Sequence, residues 1–288
     1  MKMRALLYGL LLFLQSALVI TGGAVRLTGS GLGCPTWPEC TPGSYTPVPH
    51  QAEGQLHAWI EFGNRLLTFA LVLSALVVLI HVLKTGRKDL RWLAAGQVLG
   101  IFGQGVLGGI TVLTDLHPLP VAGHLLLSIV LIAAATSLYS RRELPATTRT
   151  DLNPLTKRMS LAHIALSFAV IILGTLVTGS GPHAGDEKAR RFGFDIRTMA
   201  WLHADVVIAL LGLTAAFYIL VRNDKELSRR IGIFTAIALA QGAIGYIQYF
   251  TGIPEILVAA HLLGATLVWI AAWRIRITVT KTLISKSK

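Results

Sequence analysis

Residues 104–126 read QGVLGGITVLTDLHPLPVAGHLL, and residues 241–263 read QGAIGYIQYFTGIPEILVAAHLL. Ten of these 23 positions are identical without a gap, and His124 falls on His261. Both histidines sit near the start of a long apolar stretch. A ligand-competent side chain inside a membrane helix is expensive to keep, so it reads by default as functional. Two of them at equivalent positions point to a duplicated site.

The rest of the chain supplies the membrane. Hydrophobic residues make up 53 % of the 288, charged ones only 14 %, and the mean hydropathy is +0.63. A helix needs about 20 apolar residues to cross a bilayer. Eight stretches qualify, roughly 5–25, 58–82, 92–114, 119–139, 160–180, 199–221, 231–252 and 256–273. The expected fold class is all-α: a polytopic membrane protein of eight transmembrane helices forming two pseudo-symmetric four-helix bundles. No long polar stretch is left for a soluble domain. The first apolar run follows MKMR as a signal peptide would, but no small-residue cleavage site ends it. At about 20 residues it is also long for a signal core, so it reads as a retained helix.

A formal net charge of +12 resembles a nucleic-acid binder until the cations are mapped. Twenty of the 26 Lys and Arg fall at the termini or in alternate loops, at 84–91, 141–158 and 222–230. The opposite loops hold five: Arg26, Lys188, Arg190, Arg191 and Arg197. By the positive-inside rule, both termini are expected in the cytoplasm of a multi-pass cell-membrane protein. The basic excess then sets topology and attracts anionic membrane lipid, and no nucleic-acid partner is expected.

A second echo defines two halves. LTGSGLG at 27–33 matches VTGSGPH at 177–183, just after the first and fifth spans. Four helices per half, over 1–145 and 150–288, give both halves the same orientation, related by an axis along the membrane normal. The TGSG turns let backbone approach backbone, or a ligand edge. Cys34 and Cys40, the only cysteines, lie in the first outer loop within GCPTWPEC. An exported pair with this spacing can close a disulfide. It serves either as a staple on that loop or as a redox-active pair.

Nine histidines are present. His81 and His163 sit at the inner ends of spans and read as interfacial groups without function. His50, His117 and His183 fall in outer loops. His57, His124, His203 and His261 lie at or just inside the outer ends of the second, fourth, sixth and eighth spans. Those spans run outside to inside, so their N-terminal ends share one depth. His203 and His261 can then face each other across the second bundle, a natural clamp for heme iron. Zinc fits less well, because no third or fourth protein ligand is evident. Either histidine alone reads more simply as a hydrogen-bonded interior residue; the matched pair reads as a heme site.

The first half is less regular. Overlaying the sixth span on the second puts His203 on Asn64, in WIEFGNRLL. His57 is seven residues earlier, and Glu61 lies between them, so all three share a helix face. Arg65, four residues after Glu61, can pair with it or with a ligand carboxylate. An unpaired Glu at this depth would cost about 2.5–3.5 kcal/mol. Glu61 therefore reads as half of a structural pair or, preferably, as a catalytic carboxylate beside a bound substrate.

These motifs together resemble the heme A synthase family over nearly the whole chain. The resemblance rests on the eight spans in two halves, GAVRLTGSGLGCPTWPEC at 23–40, IEFGNRLL at 60–67, and the paired VAGHLL and VAAHLL. It implies an oxidoreductase of heme biosynthesis that oxidises a ring methyl of heme O to the formyl group of heme A, for terminal oxidases. It implies a heme b cofactor held in the C-terminal half by His203 and His261, and substrate heme in the N-terminal half with His124 as an iron ligand. Glu61 matches the family's implicated glutamate, and Cys34 and Cys40 its outer-loop cysteines. The family commonly carries histidine where this chain has Asn64. Either His57 then substitutes, or the substrate iron has one protein ligand. Arg26 and Arg65 are candidates for the heme propionates. A heme O-forming farnesyltransferase is implied as a partner by the pathway, and a homo-oligomer is compatible.

Three other readings compete. An electron-transfer cytochrome b would use intramembrane histidine pairs but does not account for Glu61 or the cysteine loop. A thiol-redox membrane protein would need more than one cysteine pair or a quinone site. A transporter of parallel repeats would place its polar groups near the midplane, whereas here they cluster at the outer end.

Overall fold

The computed structural model describes residues 2–143, 146–148 and 152–283. Eight helices run in order: α1 (Lys2–Leu27), α2 (Gln55–Lys84), α3 (Arg91–Leu113), α4 (Pro118–Ser140), α5 (Pro154–Ser180), α6 (Ile196–Val221), α7 (Lys225–Phe250) and α8 (Glu255–Thr280). Each is long and apolar enough to cross a membrane. The shortest, 23 residues, spans about 34 Å at 1.5 Å per residue, against a hydrocarbon core of about 30 Å. The chain is an all-helical membrane protein, with one small addition. Strands β1 (Ala146–Thr148) and β2 (Lys281–Leu283) pair antiparallel, Ala146 opposite Leu283, and join the mid-chain linker to the end of α8.

The helices outrun the apolar stretches at their basic ends, most at the start of α5 and α7 and the end of α8. Hydropathy stops at the charges, but the backbone does not. Asn153 caps α5 with Pro154 at its first turn, and Asp224 caps α7 by accepting from the amides of Glu226 and Leu227. Long Lys and Arg stems remain on the apolar surface while their heads reach water.

Packing closes two rings. α1 and α3 each touch α2 and α4; α5 and α7 each touch α6 and α8. α4 and α8, α1 and α8, and α4 and α5 join the rings. One buried cluster, including Tyr8, Leu71 and Ile101, fills the first ring. Another runs through the junction, from Val19 and Ile132 to Phe217 and Ile275. There the Trp269 indole donates to the Ile129 carbonyl at 2.7 Å, and the Trp273 indole to Ser137 Oγ at 2.7 Å. Two buried glutamines inside the first ring are paired: Gln15 Nε2 donates to Gln97 Oε1 and Gln97 Nε2 to the Leu131 carbonyl, both at 2.8 Å. Large apolar side chains such as Phe69, Trp92 and Phe250 cover the outside, where lipid rather than water is the solvent.

His163 departs from expectation. It is fully buried, its ring 4.5 Å from that of Phe234 and 6.1 Å from that of Phe217. Because α5 begins at Pro154, position 163 lies more than two turns inside the helix and faces α6 and α7. His81 does sit near the helix end, half-buried against the Tyr8 ring.

Candidate functional site

The loop 28–54 folds back over the start of α2, and one ion pair organises it. Glu61 lies two turns into α2 and is 6 % exposed. Its Oε1 accepts from Arg65 Nη2 at 2.7 Å and Nε at 3.2 Å, and its Oε2 from the Cys34 amide at 2.7 Å. Arg65 also donates to the carbonyls of Cys34 (3.0 Å), Thr36 (3.1 Å), Glu39 (3.2 Å) and Pro38 (3.5 Å). Its guanidinium thus reads the whole loop from 34 to 39. The Cys34–Cys40 disulfide is closed, and both residues are fully buried.

Close approach makes this docking possible. A Cβ at Gly33 would collide with the His57 carbonyl, so glycine lets loop and helix backbones touch. The Gly33 carbonyl accepts from Gln51 Nε2. Trp37 lies on α3 so closely that a Cβ at Gly109 would come 2.6 Å from its ring.

The histidines occupy the first two turns of the even-numbered helices. His203 on α6 and His261 on α8 face each other with ring centroids 6.4 Å apart and planes at 60°. One metal ion with bonds of about 2 Å to both imidazoles would put their centroids about 6 Å apart, so the pair fits an iron between them. The Nδ1 atoms of both are buried and without a hydrogen-bond partner. Among the described residues, no three His, Cys, Asp or Glu side chains gather into a metal cage.

Each imidazole rests on a glycine of the preceding helix. A Cβ at Gly108 would be 3.3 Å from His124, one at Gly174 would be 3.5 Å from His203, and one at Gly245 would be 3.1 Å from His261. The two repeat copies share a further bond. Gln104 Nε2 donates to the His124 carbonyl at 3.1 Å, and Gln241 Nε2 to the His261 carbonyl at 2.7 Å. Asn64 Oδ1 accepts from Thr21 Oγ1 at 2.7 Å, which ties α2 to α1.

Outer loops frame this end. Arg26 Nε donates to the His183 carbonyl and Nη2 to that of Thr178 at 2.7 Å, while the Gly31 amide donates to the Gly185 carbonyl at 2.9 Å. The two TGSG segments are joined by these bonds. His183 Nε2 meets the Ile253 carbonyl at 2.8 Å, linking the turn before α8. Asp195 caps α6, accepting from the Thr198 amide at 2.7 Å and hydroxyl at 2.8 Å, and these donors hold its carboxyl below the usual aspartate range.

Of the residues singled out from the sequence, the structure brings Glu61, Arg65, Cys34 and Cys40 into one cluster and His203 and His261 into one pair. His124 lies against α3. His57 is exposed at the mouth of α2, and its backbone carbonyl lies against Gly33 of the loop. Arg26 and Arg65 are both engaged by backbone carbonyls. The supporting glycines and the glutamine locks escaped the sequence reading, although Gln104, Gln241, Gly108 and Gly245 are all identical within the repeat.

Fold and site together define an eight-helix membrane protein with interior imidazoles at matched ends of its helices. A family model described as Cytochrome oxidase assembly protein matches residues 5–185, and the chain belongs to that family. Heme A synthase from Azorhizobium caulinodans is 27 % identical over 310 residues, covering 88 % of each protein. Heme A synthase from Shewanella oneidensis is 31 % identical over 175 residues, and that from Geobacillus thermodenitrificans 29 % over 120. These two matches cover 56 % and 40 % of the chain, and the chain spans only 51 % and 35 % of those relatives' lengths.

Proposed function

We propose that this chain is a membrane-bound heme A synthase, oxidising a ring methyl of heme O to a formyl group for terminal oxidases. The facing of His203 and His261 at 6.4 Å carries the reading, supported by family membership and by the heme A synthases among its relatives. His203 and His261 would hold a heme b cofactor, which when bound supplies a one-electron acceptor beside the substrate site. His124, set on Gly108 and fixed by Gln104, would ligate the substrate iron from one side. The exposure of His57 supports a single protein ligand there, which suits a substrate that must enter and leave. Asn64 would sit at the same site in place of a second imidazole.

Written as a half-reaction, methyl plus one water equivalent gives formyl with release of four protons and four electrons, so the cycle needs an external acceptor for four electrons. The proton transfers are assigned to Glu61, which would serve as base and stabilise positive charge developing at the ring carbon. Arg65 would act as a positioning residue, orienting Glu61 while holding the cysteine loop over the site. The cation pattern supports cytoplasmic termini and sites near the extracytoplasmic surface. A heme O-forming enzyme is the expected supplier of substrate.

The test is extraction and chromatography of hemes from protein produced with a heme O supply. Heme A beside heme b is the expected result. His203→Ala and His261→Ala should lose heme b, whereas His124→Ala should retain heme b and make no heme A. Heme b alone, with heme O unchanged in the wild type, would favour an electron-transfer cytochrome; no heme at all would refute both.

A further inference from the structure

At the opposite end from the histidines, α4, α5 and α8 meet around a cleft of about 650 Å³. Its polar wall carries Arg141, Lys157, Arg158 and Arg276; its apolar wall includes Leu161 and Trp273. Among the described residues, no carboxylate lines it. Arg276 Nη1 donates to the neutral Ser160 hydroxyl at 2.9 Å. Asp89, the acidic group that acts on Arg141, is itself bound by Arg87 at 2.8 and 3.0 Å. Among the described residues, no acidic side chain pairs with Lys157, Arg158 or Arg276. Four cations around one cleft repel each other unless an anion joins them.

The apolar wall selects among anions. Trp273 is fixed by its bond to Ser137, and Leu161, 56 % exposed, carries the lining out onto the surface of the bundle. A free phosphate would use the cations only. A phospholipid would use both walls, its headgroup among the cations and its chains against Leu161 and the outer helix faces. We propose that this cleft, where the two rings join, binds the phosphate headgroup of an anionic phospholipid. Basic pockets between membrane helices recognise such headgroups. The bound lipid would offset the repulsion and hold α4, α5 and α8 together, remote from the heme chemistry.

The test uses the full chain in phosphatidylcholine nanodiscs and in detergent. Phosphatidylglycerol, phosphatidylcholine and inorganic phosphate are compared by retained lipid in native mass spectrometry and by unfolding temperature. Retention of phosphatidylglycerol and a rise in unfolding temperature with that lipid alone are expected. Arg141→Gln/Lys157→Gln/Arg158→Gln should weaken its retention by at least about tenfold. Arg158→Gln alone, at an exposed position, should weaken it by a smaller factor and covers the case in which the triple variant does not fold. Equal retention of both lipids, or undiminished retention in the variants, would overturn the proposal. An equal response to inorganic phosphate alone would reassign the cleft to a free anion and overturn the lipid assignment.

Discussion

Arg65 uses both its charge and its shape. Five oxygen partners, four loop carbonyls and Glu61, surround one planar guanidinium. Lysine keeps the charge but lacks the fork. Arg65→Lys should therefore loosen the loop and cost about 2–4 kcal/mol, seen as a lower unfolding temperature and faster reduction of the disulfide. Glu61→Gln is a different experiment. The amide oxygen still accepts from the Cys34 amide, so the protein should fold and bind heme b while making at least about 100-fold less heme A. An unchanged product yield would remove Glu61 from the chemistry. At the glycine beneath His261, Gly245→Ala puts a methyl 3.1 Å from the ring and forces it to tilt. A shifted heme absorption band with a nearly unchanged unfolding temperature is expected. The histidines were legible because an imidazole in an apolar run stands out. Their supports were not: a backbone carbonyl accepting from Gln241 leaves no trace in sequence, and Gly174 lies outside the repeat.

Between residues and the molecule stand the helices and one loop. The eight spans were legible because 20 apolar residues in a row leave few other folds, but their ends depended on caps such as Asn153 and Asp224 that hydropathy ignores. His163 was misplaced for that reason. The β1–β2 ribbon was hidden, since three residues against three carry no periodic signal. The loop's docking rests on Gly33. Gly33→Ala drives a methyl into the His57 carbonyl, which cannot retreat as a side chain can. The loop should lift from α2, detected as proteolytic sensitivity between residues 41 and 54 with the helical content preserved. The α2–α3 turn makes a pH-dependent contribution. Arg87 donates to Asp89 and to the Arg141 carbonyl, and the Arg87 bond holds the Asp89 carboxyl below its usual range. A depressed folded value means stability that is complete above the ordinary aspartate pKa of about 3.9 and is lost as pH falls through the folded value. The advantage of wild type over Asp89→Asn in unfolding temperature should therefore be constant near neutrality, begin to fall below about pH 4 and vanish only below the folded value.

For the molecule as a whole, one buried cluster runs through the junction between the rings. Trp269 and Trp273 bind α8 to α4, and Arg26 closes the outer end. The repeat points to two halves, but it carries no sign that Arg26 would be satisfied by the carbonyls of Thr178 and His183. That pairing has a direction in time. Arg26 is synthesised some 150 residues before Thr178 and His183, its acceptors. At about 5–20 residues per second, the wait is roughly 10–30 s. During that interval the outer rim formed by the first four helices lacks this fastening. The clasp ties the rim of the first four helices to the completion of α5, so the earlier part of the chain is fastened only by a part made later.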